Sequence, residues 1–315
     1  IWNYINVFAE FNDYRHRVKT TAGGKVYSLP INLDTINQFY NLNLKPDEAA
    51  AFLKTKTGTV SRPANLEEKA ISLVGRELYE ALIKGYTAKQ WGCDPRELPP
   101  EIIDRIPVRT SRNDAYYNDH YQGMPRGGYT PIFEKLLQGI DLELRTDFFN
   151  RRDYWKSIAD KILYTGPMDR YFDYRFGRLN WRSIRTEIEA MPCDDYQGIS
   201  MMNYADREVP YTRIVEPKHF YRERAHLTRG TVIIREYPHD DPAEPYYPVG
   251  LKADREMLAR YQQAQADEKN VIFGGRLAEY KYYDMHQVIA GALHTVEKLT
   301  GSELWPKKAS SSERS

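Results

Sequence analysis

The stretch that most constrains the fold is VIFGGRLAEYKYYDMHQ, Val271 to Gln287. A β-branched apolar run stops at Gly274-Gly275-Arg276, and after a short polar connection a helix is predicted to start near Asp284. In a doubly wound sheet this order puts bare backbone amides and an arginine at the carboxyl end of a strand, where a dinucleotide phosphate or flavin edge docks. The same order arises wherever a strand simply turns into a helix. Taken alone, the pattern leaves cofactor binding and plain connection both open.

Upstream, Ile1, Tyr4, Ile5 and Phe8 lie at helical spacing, predicting a helix over residues 1–12. Arg15 to Pro30 reads as a β-hairpin around Ala22-Gly23-Gly24. Asp34 is placed to cap a helix through Tyr40, and Pro46-Asp47-Glu48 to start another. Asn65 then caps a long helix striped by Ile71, Val74, Leu78 and Leu82, with Gly75 as its weak point and Trp91-Gly92 as its end. From Tyr129 the pattern turns to α/β order. It predicts a helix over 130–140, a strand Asp141–Arg145, a helix over 152–160 and a buried strand Lys161–Tyr164. Short alternating runs between Tyr171 and Tyr237 argue for an antiparallel sheet. A helix over 253–270, the strand at Val271 and a helix faced by Val288, Ala292 and Val296 resume the α/β pattern. The polar tail from Lys307 is expected to be disordered.

Composition removes several function classes. Forty-five basic residues against 44 acidic ones leave a net charge of +1, without the broad basic field that nucleic-acid binders use. No apolar run approaches the roughly 20 residues that span a bilayer, so a cytoplasmic protein is expected. Cys93 and Cys193 stand far apart and the histidines show no ligand spacing, so reduced thiols and no metal are expected. There is no GxSxG elbow, HExxH or P-loop. If the chain is an enzyme, a cofactor carries the hard step.

Tyrosine is the compositional outlier, with 25 residues. Such rings suit either a large half-polar pocket or a tyrosine-rich sheet. Four polar-aromatic clusters stand out: Tyr86 to Gly92, Arg105 with Tyr116, Tyr211-Thr212-Arg213, and Tyr246-Tyr247-Pro248 with Tyr282. Two arginines ringed by tyrosines fit a diphosphate, because each guanidinium forks onto phosphate oxygens and each phenol adds an uncharged donor. For each arginine by itself, a surface salt bridge is the plainer reading.

At these residues the chain resembles the UDP-galactopyranose mutase family. The matching segments include DYRHRV, LPINLDTINQF, NLEEKAISLVG, KGYTAKQWG, IPVR, YQGMPRGGYT, YTGPMDRYFDYRFG, VPYTRI, EPYYPV and GGRLAEYKYYDMHQVI, in order over nearly the whole chain. The resemblance implies an α/β fold with a segmented Rossmann-like FAD domain lacking its first βαβ unit, a helical domain and a twisted antiparallel sheet. The implied boundaries are 1–12 for a remnant of the FAD domain, 13–34 for a hairpin of the sheet domain and 35–118 for the helical domain with its mobile loop. Residues 119–170 and 241–304 follow as further FAD segments, with 171–240 as the sheet and 305–315 as the tail.

By the same resemblance, Arg105 and Arg213 are the catalytic arginines that hold the substrate diphosphate. Tyr116, Tyr247 and Tyr282 bond those phosphates, Tyr86 stacks on uracil, and Trp91 sits on the mobile loop beside the sugar. Thr87 and Asn203 make uridine or loop contacts, Arg182 is a further mobile arginine near the site, and His16 is a substrate-side position. Gly275, Arg276, Tyr282, Tyr283, Asp284 and Met285 face the flavin.

The implied reaction interconverts UDP-galactopyranose and UDP-galactofuranose for cell-surface polysaccharide, through a covalent N5 adduct of reduced FAD, in a cytoplasmic homodimer. The leaving diphosphate gains charge, so the arginines favour the transition state over the ground state. The family's GxGxxG segment would lie upstream of Ile1, so the chain alone is expected to hold FAD poorly and to be impaired. Two other readings compete: an amine-oxidase-like flavin oxidoreductase, and a nucleotide-sugar-binding remnant without catalysis.

Overall fold

The computed structural model describes residues 1–58, 62–105, 107–241 and 243–302, without the side chain of Arg105. The chain divides into two compact units, one from residues 1–10, 127–179 and 256–315, the other from residues 11–126 and 180–255. In chain order the strands among the described residues are β1 Val18–Ala22, β2 Lys25–Leu29, β3 Ile162–Tyr164, β4 Trp181–Met191, β5 Met201–Tyr204, β6 Arg213–Val215, β7 Thr231–His239, β8 Tyr247–Pro248 and β9 Val271–Phe273.

The second unit holds a seven-stranded sheet in the order β2-β1-β5-β6-β7-β4-β8. Its neighbours are antiparallel except β1 and β5, which run parallel. The fold is thus mixed α/β with a large, mostly antiparallel sheet. The hairpin between β1 and β2 turns at Gly23 and Gly24, with φ of +56° and +73°. Two successive positive φ values are what a two-residue turn needs to match the strands' right-handed twist. The hairpin joins the sheet formed by the runs after Tyr171, and Ile184, Ile214 and Ile233 bury their side chains in its core.

Helices cover the rest of this unit. Leu33–Tyr40 is capped by Asn32, whose Oδ1 accepts the Thr35 N–H at 3.0 Å. The expected cap, Asp34, lies inside the first turn and instead pairs with Arg112. Asn65 does cap the next long segment, accepting the Glu68 N–H at 2.9 Å. That segment is not one helix. It stops at Val74, and Gly75 takes φ +82° before a new helix begins at Arg76. A Cβ at Gly75 would lie 2.9 Å from the Lys56 Cβ and 3.0 Å from its carbonyl oxygen, so glycine answers both the turn and the contact. Tyr79–Lys84 continues as a π-helix and Gly85–Trp91 as an α-helix. Leu66, Ala70, Val74, Leu78 and Leu82 form the buried stripe.

In the first unit β3 and β9 pair in parallel, Ile162 opposite Val271 and Tyr164 opposite Phe273. Its core is aromatic. Tyr171 and Tyr261 are wholly buried among Tyr164, Phe172 and Phe273. Each buried phenol has an acceptor: Glu268 for Tyr171 at 2.9 Å, the Gly177 carbonyl for Tyr261 at 2.6 Å, and the Pro167 carbonyl for Tyr164 at 3.0 Å. Part of the tyrosine excess therefore belongs to a core whose polar tips are satisfied.

Two expected elements differ. The opening helix spans only Trp2–Ile5, and by Phe11 and Asn12 the chain is extended, with Phe11 bridging Pro125 and the Asn12 N–H donating to the Met124 carbonyl at 2.9 Å. The run Asp141–Arg145 is not a strand. Leu142 and Leu144 are exposed, and Arg145 takes φ +57°, outside extended space. Alternation alone does not hold a strand without a ladder partner. Among the described residues no helix is long and apolar enough to cross a membrane. The tail from residue 303 lies outside the described residues.

Replacing Gly75 with Ala is expected to destabilise the protein by at least about 1 kcal/mol, since alanine meets both an unfavourable φ and the Lys56 backbone. Urea unfolding checks this, and a change within about 0.5 kcal/mol of zero, ordinary for a surface substitution, would contradict it.

Candidate active site

The register of three adjacent strands builds the polar row from which the site grows. Asn203 of β5 stands opposite Arg213 of β6, and Arg213 opposite Glu236 of β7. Directly opposed residues share a face of the sheet. The Arg213 Nε donates to Glu236 Oε2 at 2.5 Å, and the pair is mostly buried. The outer nitrogens meet weaker partners, the Tyr247 hydroxyl at 3.4 Å and the Met201 sulfur at 3.9 Å. Burial pulls the guanidinium's pKa down, but Tyr86, Glu236 and Tyr247 outweigh it and hold the group charged. Buried Asn203 has an Oδ1 with no hydrogen-bond partner among the described residues.

His16 lies in the same unit, just before β1. Its ring stacks on Tyr117 at 5.5 Å and meets the edge of Tyr116 at 5.2 Å. Its Nδ1 lies 2.9 Å from the Tyr14 hydroxyl, which is 2.5 Å from the Ser200 hydroxyl. Burial, then the charge of Arg213, lowers the His16 pKa from its ordinary 6.5 to about 4. The imidazole is therefore neutral at pH 7, with a single ring proton, and Tyr14 links its Nδ1 to the Ser200 hydroxyl.

The helix Gly85–Trp91 supplies Tyr86, Thr87 and Trp91. Thr87 and Trp91 are buried, and Trp91 meets Tyr247 edge-on at 6.3 Å. Arg182, read from the sequence as a mobile arginine, is a buried strut. Its Nε donates to the Gln90 carbonyl at 2.9 Å, its Nη2 to the Lys89 carbonyl at 3.2 Å, and its Nη1 to Asp240. A cation on the last carbonyls of a helix satisfies orphan acceptors and opposes the helix dipole. Gly92, with φ +68°, makes room for it: a Cβ there would fall 2.5 Å from Arg182 Nη1. Arg105 closes the short 3-10 helix Pro100–Arg105, and its side chain lies outside the described residues.

The residues that the resemblance assigns to a flavin all belong to the first unit. Gly274 and Gly275 follow β9, and among the described residues no heavy atom beyond the glycine and its chain neighbours lies within 4 Å of a Cβ built at either; Gly275 has φ +85°. The Arg276 guanidinium lies over the Tyr282 ring at 4.6 Å, and its Nη1 donates to the Tyr283 carbonyl at 3.5 Å. The Tyr283 hydroxyl donates to Glu279 at 2.6 Å, and burial, then Glu279, raises its pKa. Asp284 caps the helix Met285–Thr300, and its N–H donates to Gln287 Oε1 at 2.8 Å. Met285 is exposed. Tyr282 thus stands with this group, while Arg213 and Tyr247 belong to the second unit.

Sequence reasoning missed Glu236 and the pair Tyr14 and Ser200. Register could have found Glu236, since an arginine facing a strand that ends IIREY needs a carboxylate partner when buried. It also missed Asp195, Glu216 and His219, whose ligand-type atoms lie within 4.8 Å of one another. Both Glu216 oxygens accept backbone N–H groups there, from Tyr196 and Gln197 at 3.0 Å each.

The family model for UDP-galactopyranose mutase matches residues 81–282. The chain is 42% identical over 309 residues to a probable UDP-galactopyranose mutase of Klebsiella pneumoniae, covering 96% of this chain and 78% of that one. It is 38% identical over 306 residues to a dTDP-fucopyranose mutase of Escherichia coli, covering 94% and 80%. A crystal structure of reduced UDP-galactopyranose mutase shares its fold, with a TM-score of 0.67 at 12% identity over 95% of this chain and 81% of that one. Both relatives are named as mutases, and the chain is an enzyme of that class, an isomerase. It belongs to the UDP-galactopyranose mutase family.

The neutral imidazole has a measurable consequence. Folded His16 takes a proton only near pH 4, whereas the unfolded chain takes one near 6.5. Between those values the unfolded state binds more protons, so stability falls as pH drops through the window, by up to about 3 kcal/mol. His16→Asn is expected to flatten most of this loss when urea unfolding is compared between pH 7 and pH 4.5. Identical slopes in the two proteins would show that His16 does not titrate as described.

Proposed function

We propose that this chain interconverts UDP-galactopyranose and UDP-galactofuranose with reduced FAD as its cofactor. The observation that carries this reading is the state of Arg213: Glu236 holds its Nε at 2.5 Å, while its outer nitrogens have only a 3.4 Å phenol and a 3.9 Å thioether among the described residues. A guanidinium fixed from behind, with its fork weakly engaged, suits a diphosphate, whose oxygens match two parallel N–H groups. An amine-oxidase-like oxidoreductase has no use for such a grip.

Each remaining residue has a role in the second unit. Tyr86 stacks on the base, Tyr116 and Tyr247 donate to phosphate, and Trp91 covers the sugar. Asn203 offers its acceptor to a ligand N–H or O–H, and neutral His16 presents Nε2. Arg105 joins Arg213 on the diphosphate. As the sugar–phosphate bond breaks, charge builds on the diphosphate, so these cations act most strongly at that moment.

The residues after β9 fit a flavin. Gly274 and Gly275 leave the backbone approachable, and Arg276, backed by Tyr282, offers donors beside it. Gly275, Arg276, Tyr282, Tyr283, Asp284 and Met285 would hold the group. The chemistry that reduced flavin supplies when bound is that of a nucleophile toward the sugar's anomeric carbon, without net oxidation. As the family resemblance implies, the enzyme is a cytoplasmic homodimer feeding galactofuranose into surface polysaccharide.

A second substrate deserves a place because the E. coli relative is named for dTDP-fucopyranose. Titration calorimetry with UDP and dTDP decides the nucleotide, and UDP is expected to bind more tightly. Arg213→Ala is expected to weaken UDP binding at least about 30-fold, or about 2 kcal/mol. With FAD and dithionite added, chromatography should find pyranose formed from UDP-galactofuranose. Tighter dTDP binding moves the substrate to a deoxythymidine diphosphate sugar, and binding of neither nucleotide overturns the nucleotide-sugar reading of the site.

A further inference from the structure

Lys89 sits in the middle of the helix that carries Tyr86, Thr87 and Trp91, yet it faces away from solvent into a cage of main-chain oxygens. Its ammonium donates to the carbonyls of Tyr204 at 2.8 Å, Asp206 at 2.8 Å, Val209 at 3.0 Å and Tyr211 at 3.1 Å. An ammonium has three protons, so four oxygens at these distances share them, and carbonyl dipoles aimed at one point favour a cation.

Tyr204 ends β5, and the other three carbonyls belong to the loop that joins β5 to β6. One end of that loop carries Asn203 and the other Arg213, the two members of the polar row. Gly85, on the same helix, makes the second contact of this seam: a Cβ there would fall 2.2 Å from the Ala205 carbonyl oxygen. Asp206, Arg207 and Glu208 border an open cavity of about 450 Å³, with Lys25, Glu80 and Lys84 among its other walls. Across it the loop is tied by the Gly23 N–H, which donates to the Asp206 carboxylate at 3.1 Å.

We propose that Lys89 is a positioning residue for substrate, its caged ammonium fixing the loop that carries Asn203 and Arg213 against the helix that carries Tyr86 and Trp91. This rests on the reading of those four residues as the nucleotide-sugar site. The lysine touches no ligand. It sets the spacing between the base-stacking side and the phosphate-binding side, and displacements of about 1 Å in such a spacing cost up to about 100-fold in function. Burial lowers its pKa to about 8, and Asp206 and Glu208 oppose that shift.

UDP calorimetry tests this without any need for flavin. Lys89→Met is expected to raise the UDP dissociation constant at least about 10-fold, a loss of about 1.4 kcal/mol. Lys89→Cys should bind as weakly, and alkylation with 2-bromoethylamine, which restores an ammonium at nearly the same reach, should return affinity to within about 3-fold of wild type. Wild type treated in parallel controls for Cys93 and Cys193. Native-like UDP binding by Lys89→Met overturns the role, as does a folded, alkylated Cys variant that stays weak. Should Lys89→Met not fold, Gly85→Ala strains the same seam with the lysine intact, and unchanged UDP affinity there overturns the role equally. Wild type that fails to bind UDP strikes the functional reading itself, whereas wild-type binding with indifferent variants strikes only this inference.

Discussion

The pair of Arg213 and Glu236 is the constraint around which the sheet's functional face is organised. A guanidinium this deep would lose several kcal/mol of hydration if left alone, and one carboxylate at 2.5 Å offsets much of that cost. Register delivers the partner: β6 and β7 run antiparallel with the two residues directly opposite, so no side chain has to stretch. The same register places Asn203 on the other side of Arg213. Fixing one charge therefore fixes the line of groups beside it.

The segment KGYTAKQWG reads differently once its contacts are known. Gly85 lets the Ala205 carbonyl close on the helix, Lys89 gathers four carbonyls from the end of β5 and the loop after it, and Gly92 admits the Arg182 guanidinium onto the helix end. Three of the nine residues thus seat the helix that carries Tyr86, Thr87 and Trp91. A motif that marks a family is here in part a joint, and the holding residues are as particular in type as the ones they hold.

Much of the fold was legible because its signals are local. The hairpin announced itself through Gly23-Gly24, the Asn65 cap through a side-chain oxygen placed just before the apolar stripe, and β9 through a β-branched run ending in two glycines. Where legibility failed, a distant partner decided. Asp34 and Asn32 are both competent caps, and the pull of Arg112 on Asp34 left the cap to Asn32. The leucines of Asp141–Arg145 alternate as a strand's do, but alternation records a possible face without guaranteeing a neighbour. Arg182 could not be recognised as a strut from sequence, because its acceptors, the carbonyls of Lys89 and Gln90, lie more than 90 residues earlier. The roles assigned to Tyr86, Tyr116 and Asn203 came from family resemblance, since nothing in their spacing distinguishes a ligand contact from a packed phenol or amide.

In the first unit's core the buried phenols of Tyr164, Tyr171 and Tyr261 each found an acceptor, as expected where an orphaned polar atom costs about 1–3 kcal/mol. Along the β5 to β7 row the opposite holds. Asn203 keeps a buried oxygen without a donor among the described residues, and Arg213 keeps a fork whose neighbours are a distant phenol and a sulfur. Two such deficits side by side, one lacking a donor and the other lacking strong acceptors, are complementary to a ligand that brings an N–H or O–H and anionic oxygens together. A nucleoside diphosphate sugar carries both, so binding it would relieve both deficits at once.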